Sequence, residues 1–213
     1  MAQKSYRAWL IILALTGATL DQASKYGVFR WLYNSTERYD AHRGIGEFSV
    51  LENKFKFYVQ YTDQRVPADS HLLGYSSDRM PRVNHGALFG LLNNHEGLAN
   101  RLFAAISIIA AVGIVGWSFR RHTSRDRLLC SALGLILAGT LGNLYDRLVF
   151  GGVRDFLYWY GYEVNWPVFN FADCCLVCGA CLLLAQAFLT HPAPATAPAT
   201  SESVPSPQVA PVQ

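Results

Sequence analysis

The chain has 213 residues, 51% of them hydrophobic and 15% charged, where an average soluble domain carries roughly a quarter charged residues. A net charge of +3, with no Lys/Arg cluster interleaved with aromatics, argues against nucleic acid as a partner. Four of the five cysteines (Cys174, Cys175, Cys178, Cys181) share one apolar stretch and Cys130 lies in another, which excludes an extracellular disulfide framework.

Crossing a bilayer takes about 20 mostly apolar residues, and four segments qualify as spans. The first runs from Tyr6 to Leu32, with Ala8–Leu20 free of charge. Lys4 and Arg7 before a short apolar core also fit a cleaved signal peptide. No Ala-x-Ala site follows it, however, and Asp21 and Lys25 come directly after. Residues from about 34 to 97 form a polar outer segment. Within it Phe55, Phe57, Val59 and Tyr61 alternate with Lys54, Lys56, Tyr58 and Gln60, the pattern of a strand with one apolar face. The second span covers Leu102–Phe119. The loop after it, Arg120–Arg127, carries four arginines against Asp126. Leu128–Tyr145 and Cys174–Thr190 are the third and fourth spans, separated by a loop whose one basic residue is Arg154. The positive-inside rule places both termini and Arg120–Arg127 in the cytoplasm, with 33–97 and 149–168 on the other side. The last 23 residues, 191–213, hold six of the nine prolines and form a tail expected to be disordered. The expected architecture is mainly α: a four-helix membrane domain over 1–190, with a small extracytoplasmic sheet.

The polar residues inside the spans converge in depth. At about 1.5 Å per residue, Asp21 lies roughly 21 Å beyond Arg7, Asn143 about 24 Å and Asp146 about 28 Å beyond Arg127, and Asp173 about 27 Å from His191. All four fall in the outer third of the bilayer. Gly139, Asn143, Asp146 and Arg147 share a helix face, and so do Asn170 and Asp173, while Asp21 and Lys25 are spaced i,i+4. Interfacial snorkelling is the plain reading for Arg147 or Lys25. It explains Asp173 poorly, because a carboxylate on so short a side chain cannot reach far. Asp155, in the outer loop, is the natural partner of Asp173. Two carboxylates brought close share a proton, and one then activates water while the other polarises a carbonyl. No histidine is spaced with these carboxylates as a metal ligand, so no metal is expected. The cysteines suit small packing residues better than ligands.

Leu20-Asp21-Gln22-Ala23-Ser24-Lys25, then Asn84-His85-Gly86-Ala87-Leu88-Phe89-Gly90, then Gly139-Thr140-Leu141-Gly142-Asn143-Leu144-Tyr145-Asp146-Arg147, then Val153-Arg154-Asp155-Phe156 and last Phe169-Asn170-Phe171-Ala172-Asp173 follow one another in that order. Together they resemble the signature blocks of bacterial lipoprotein signal peptidase (signal peptidase II). The resemblance covers residues 8–190. It implies an aspartyl endopeptidase of the bacterial inner membrane, with its site near the periplasmic face. Such an enzyme cuts prolipoproteins just before a diacylglyceryl-modified cysteine. It makes Asp155 and Asp173 the catalytic pair. Asp21, Lys25, Asn84, Gly86, Asn143, Asp146, Arg147, Asn170 and Ala172 then shape the site or hold substrate. It implies no cofactor, and as partners lipid-modified prolipoproteins and membrane lipids, with one chain holding a full site as a monomer. A cradle-like outer sheet is implied as well, with Val83–Leu91 part of it. The segment of about 39–79 is longer than the resemblance leads one to expect. A small transporter or channel lined by Asp21, Asp146, Arg147 and Asp173 is the alternative from another class.

Overall fold

The apolar runs form helices that reach past their charge-free limits into the polar residues that flank them. In this computed structural model, which describes residues 5–71, 75–86, 96–161 and 164–190, α1 spans Arg7–Tyr33, α2 Glu96–Ser118, α3 the short turn Arg121–Arg125, α4 Arg127–Val149 and α5 Phe171–Thr190. Asp126 caps α4, its side chain accepting from Leu129 N at 2.9 Å. Among the described residues three helical stretches are long and apolar enough to cross a membrane: Gly97–Ser118, Arg127–Val149 and Phe171–Leu189. α1 is longer, at 27 residues, and buries Asp21 and Lys25 against its neighbours. The tail 191–213, Ala87–Gly90 of the second motif and Leu91 lie outside the described residues.

α4 is the axis of the bundle. Of its apolar window 61% is buried, against 17% for each of the other two, and α1, α2 and α5 all pack on it. Close approach comes from small residues, the usual device between membrane helices. Gly134 faces the Leu10 carbonyl, Gly17 faces Ala138, Gly139 faces the Ala172 carbonyl, and Gly179 faces Ala132 and Ile136. Around these contacts Leu10, Ala14, Cys130, Leu133 and Leu137 form one core. Of the fourth-span cysteines, Cys175 packs against Gly17, whereas Cys178 and Cys181 are exposed.

The polar segment after α1 and the loop after α4 together build an antiparallel sheet from β1 (Tyr39–Asp40), β2 (Ile45–Leu51), β3 (Phe55–Arg65), β4 (Arg79–Pro81), β5 (Leu157–Gly161) and β6 (Val164–Asn165), ordered β1-β2-β3-β5-β6 with β4 on the far end of β3. The alternation in β3 sets its faces as expected. Val59 and Tyr61 are buried on Phe29 and Leu32 of α1, and the Tyr61 hydroxyl donates to Phe29 O at 2.7 Å. Lys56, Tyr58 and Gln60 point the other way, opposite Ser49, Glu47 and Ile45 of β2. Part of the extra length is a second hairpin, in which β3 runs on to Arg65 and returns through β4 in the register Tyr61↔Pro81. β5 comes from the loop after α4, pairing Lys56↔Tyr158 and Phe57↔Leu157. Asn84 joins Val153 in an isolated bridge.

The glycine contacts divide the chain's glycines into two kinds. A leucine at Gly134 or Gly179 meets a neighbouring backbone oxygen at 2.9 Å and is expected to cost about 1–3 kcal/mol. The same change at Gly113 or Gly116, where nothing lies within 4 Å, leaves the thermal midpoint in detergent nearly unchanged; thermal unfolding of the four variants checks this.

Candidate active site

Two carboxylates meet where the outer loop returns to the bundle. Asp155 lies between α4 and β5. Asp173 stands in the first turn of α5, and Asn170 caps that helix. The cap is reciprocal: Asn170 Oδ1 accepts from Asp173 N and Asp173 Oδ2 accepts from Asn170 N, each at 3.1 Å. Asn170 is fully buried, and its Nδ2 donates to Asp155 Oδ1 at 2.7 Å. One residue, through its side chain and its backbone amide, therefore ties both carboxylates together. Asn143 Nδ2 donates to the other Asp173 oxygen at 2.9 Å, and Asn84 Nδ2 to Asp155 Oδ2 at 3.1 Å. Both aspartates are half-buried, open at the mouth of the bundle.

Beneath them lies a buried network of four charges. Asp21, Lys25, Asp146 and Arg154 are each 0% exposed, and they sum to zero. Lys25 Nζ stands 2.8 Å from Asp21 and 3.4 Å from Asp146, and donates to Asn143 Oδ1 at 3.2 Å. Gln22 Nε2 bridges the same two carboxylates at 3.0 and 3.1 Å. Each carboxylate also grips the backbone next to one of the paired aspartates. Asp21 Oδ1 accepts from Ala172 N, and Asp146 Oδ2 from Arg154 N, both at 2.8 Å. The residues so held immediately precede Asp173 and Asp155. Gly142 leaves room for this, since a Cβ there would stand 2.6 Å from Asp21 Oδ2.

The remaining expected residues border the pair. Gly86 N donates to Asn84 Oδ1 at 2.8 Å; its φ of +74° and its contact with the Phe103 ring both favour glycine. Arg147 lies 5.4 Å from the Phe103 ring centre, within electrostatic reach of Asp173 and Asp155, and its Nε has no partner among the described residues. All eleven expected positions are thus gathered in one region. Two more belong with them: Gln22, quoted in a motif but given no role, and Arg154. The Arg154 guanidinium sits between Phe150 at 3.8 Å and Tyr26 at 4.2 Å, and donates to Asp146 at 2.9 Å and Gln22 Oε1 at 2.8 Å. Its position in an outer loop hid this role. The signal available was a basic residue beside a candidate catalytic aspartate in an otherwise unbasic loop.

Burial pushes the Asp155 carboxyl up to about 6. Hydrogen bonds from Asn170 and Asn84 hold it down, and the charge of Asp173 adds to the rise. Among the described residues no group of three or more His, Cys, Asp or Glu is placed to hold a metal.

The family model described as Signal peptidase (SPase) II matches residues 13–189. This chain belongs to the signal peptidase II family. The match takes in every residue of the network from Asp21 to Asp173. Among similar chains, a lipoprotein signal peptidase of Rhodopirellula baltica is 35% identical over 192 residues, 83% of this chain and 70% of that one. One from Pseudoalteromonas translucida is 41% identical over 105 residues; the aligned part is 49% of this chain and 63% of that one, under two thirds of its length. A bacterial membrane enzyme solved by the in meso method at 1.9 Å shares the fold, with a TM-score of 0.62 and 23% identity over 90% of this chain and 99% of that one.

The signal peptidase II network tolerates loss of an opposite pair better than loss of one charge. Arg154→Met strands Asp146 beside Lys25 alone and is expected to cost about 3–5 kcal/mol. Arg154→Met with Asp146→Asn costs less than the sum of the single changes, because charge balance returns. Unfolding midpoints of the two single variants and the double in detergent measure the coupling.

Proposed function

We propose that the protein is an aspartyl endopeptidase of the bacterial inner membrane. It removes signal peptides from prolipoproteins that already carry a diacylglyceryl group, cutting just before the lipidated cysteine. The observation that carries this reading is one fully buried residue, Asn170, bonded to both the Asp155 and the Asp173 carboxylate. It holds two half-buried carboxylates together at the end of a membrane-spanning bundle. α1 brings the spans to four: its mid-helix charges Asp21 and Lys25 turn inward, while Ile11, Ile12, Leu15 and Leu20 are 51–60% exposed, as a lipid-facing side requires. Both termini and the arginine-rich turn α3 are cytoplasmic, and the sheet is extracytoplasmic. One chain supplies the whole site, consistent with a monomer.

The pair shares one proton, and burial favours the neutral form at Asp155. Asp173 accepts a proton from the attacking water while Asp155 donates to the scissile carbonyl oxygen. The tetrahedral intermediate collapses as the C–N bond breaks: the leaving amine, the cysteine nitrogen, takes the proton held by Asp173, and the proton on the former carbonyl oxygen returns to Asp155. The bilayer excludes bulk water, so the peptide groups flanking the cut need polar partners from the enzyme. Arg147, with its unpaired Nε, is placed to supply one. The alternative of a transporter finds no support in the geometry: Asp21, Lys25, Asp146 and Arg154 neutralise one another instead of lining a passage.

A gel-shift assay with purified protein and a diacylglyceryl-modified prolipoprotein tests the reading. Cleavage is expected with the native chain and is lost, by about a thousandfold or more, in Asp155→Asn and in Asp173→Asn. Activity persisting in either variant removes that residue from the pair. The pH profile carries a sign as well. Activity requires the protonated Asp155, so kcat/KM should fall as pH rises through about 6. Asn84→Ala removes a donor to the ionised form, so that limb moves to higher pH; kcat/KM measured across pH 4–9 (about five units) shows the direction.

A further inference from the structure

The outward face of the sheet carries a feature that cleavage chemistry leaves unused. A groove of about 370 Å³ opens at Asp155, lined on the sheet side by Tyr58, Gln60 and Arg82 and opposite by Pro167 and Val168. Tyr58, Pro167 and Val168 also line the next hollow, of about 630 Å³, which adds Arg43, Lys56 and Tyr158. That hollow shares Arg43, Glu47 and Lys56 with a third, of about 470 Å³, which reaches Ser49 and Tyr160. The three form one trough leading away from the paired carboxylates. Along β3, from Gln60 to Lys56, it runs about 13 Å, the length of roughly four extended residues.

The floor of the trough is built and not incidental. Lys56 Nζ lies 5.3, 5.6 and 5.0 Å from the ring centres of Tyr58, Tyr158 and Tyr160, fixed by a 2.6 Å ion pair with Glu47. The reverse face of β3 packs on α1 through Val59 and Tyr61. Arg43 and Arg82 stand along the trough without an ion-pair partner among the described residues. Flat rings offer contact area at low entropic cost, and unpaired guanidiniums pair with carboxylates.

Building on the peptidase reading, we propose that this trough seats the polypeptide that follows the cleaved bond. It favours acidic side chains in about the first four residues after the lipidated cysteine. Two observations select this occupant. The trough begins at a candidate catalytic carboxylate on the side opposite the bundle, where the chain beyond the cut must leave. Along the stretch from Gln60 to Lys56 its unpaired charges away from Asp155 are the cations Arg43 and Arg82, while Glu37 and Asp40 line only the third hollow beyond it.

The test uses the full chain in zwitterionic detergent and prolipoproteins identical through the lipidated cysteine, with acidic, Ser/Gly or lysine residues in the following stretch. Native protein is expected to show kcat/KM falling from acidic to neutral to basic, about fivefold at each step and mainly through KM. Arg43→Glu combined with Arg82→Glu reverses the order. Equal values across the series for the native protein overturn the proposal without any variant, and so does an order that the two reversals leave unchanged. If added phosphatidylglycerol vesicles abolish the preference while neutral vesicles do not, the trough is a lipid headgroup site and the proposal falls. Cleavage of no member of the series overturns the peptidase reading instead.

Discussion

Four charges buried away from the protein surface must neutralise one another, and this requirement organises the molecule. Asp21, Lys25, Asp146 and Arg154 come from α1, α4 and the loop after α4, so the network closes only when these elements are in place. An uncompensated charge among them is strongly unfavourable. The spare oxygens of the two carboxylates do the geometric work. Each takes one backbone amide, Ala172 N or Arg154 N, and so sets the residue that follows. Lys25 and Gln22 bridge the two carboxylates, and one rigid unit thereby fixes the positions of Asp155 and Asp173 together. The paired aspartates stay half-open to the outside while everything that aims them is sealed below.

Helix packing serves the same end. Gly139 and Gly142 bring α4 against the start of α5 and against Asp21, closely enough for these short carboxylates to reach across. Lipid supplies no hydrophobic drive between helices, so small residues and buried polar contacts hold the bundle together. The sheet rests on the outer end of α1 through Phe29, Leu32, Val59 and Tyr61. Trp31 and Trp159, both largely exposed, edge it like the aromatic residues found at membrane interfaces.

Much of this was legible in the sequence, since helices and strands differ in period and intramembrane charge is rare. The helices, the strand at Phe55–Tyr61 and the gathering of Asp21, Asn143, Asp146 and Asp173 at one depth followed from counting. Arg154 and Gln22 were not so visible. Their roles depend on contacts between residues 132 positions apart, and periodicity along one element carries no such information. The pairing of β5 with β3 was hidden for a related reason: Leu157–Gly161 is too short and too aromatic to show alternation, and only its partner makes it a strand. The hairpin through β4 was likewise masked, because β3 continues into polar residues that a search for an apolar face passes over.

That the buried carboxylates hold main-chain amides as well as side chains has a consequence for what the chain can accept. The first turn of a helix is ordinarily where proline does least harm, since the amides there lack helical partners. At position 172 that freedom is gone, because the amide is the anchor, and position 154 is closed to proline for the same reason. At both places the backbone itself is the functional group, and the ring that removes its hydrogen would release one of the paired aspartates from the bundle.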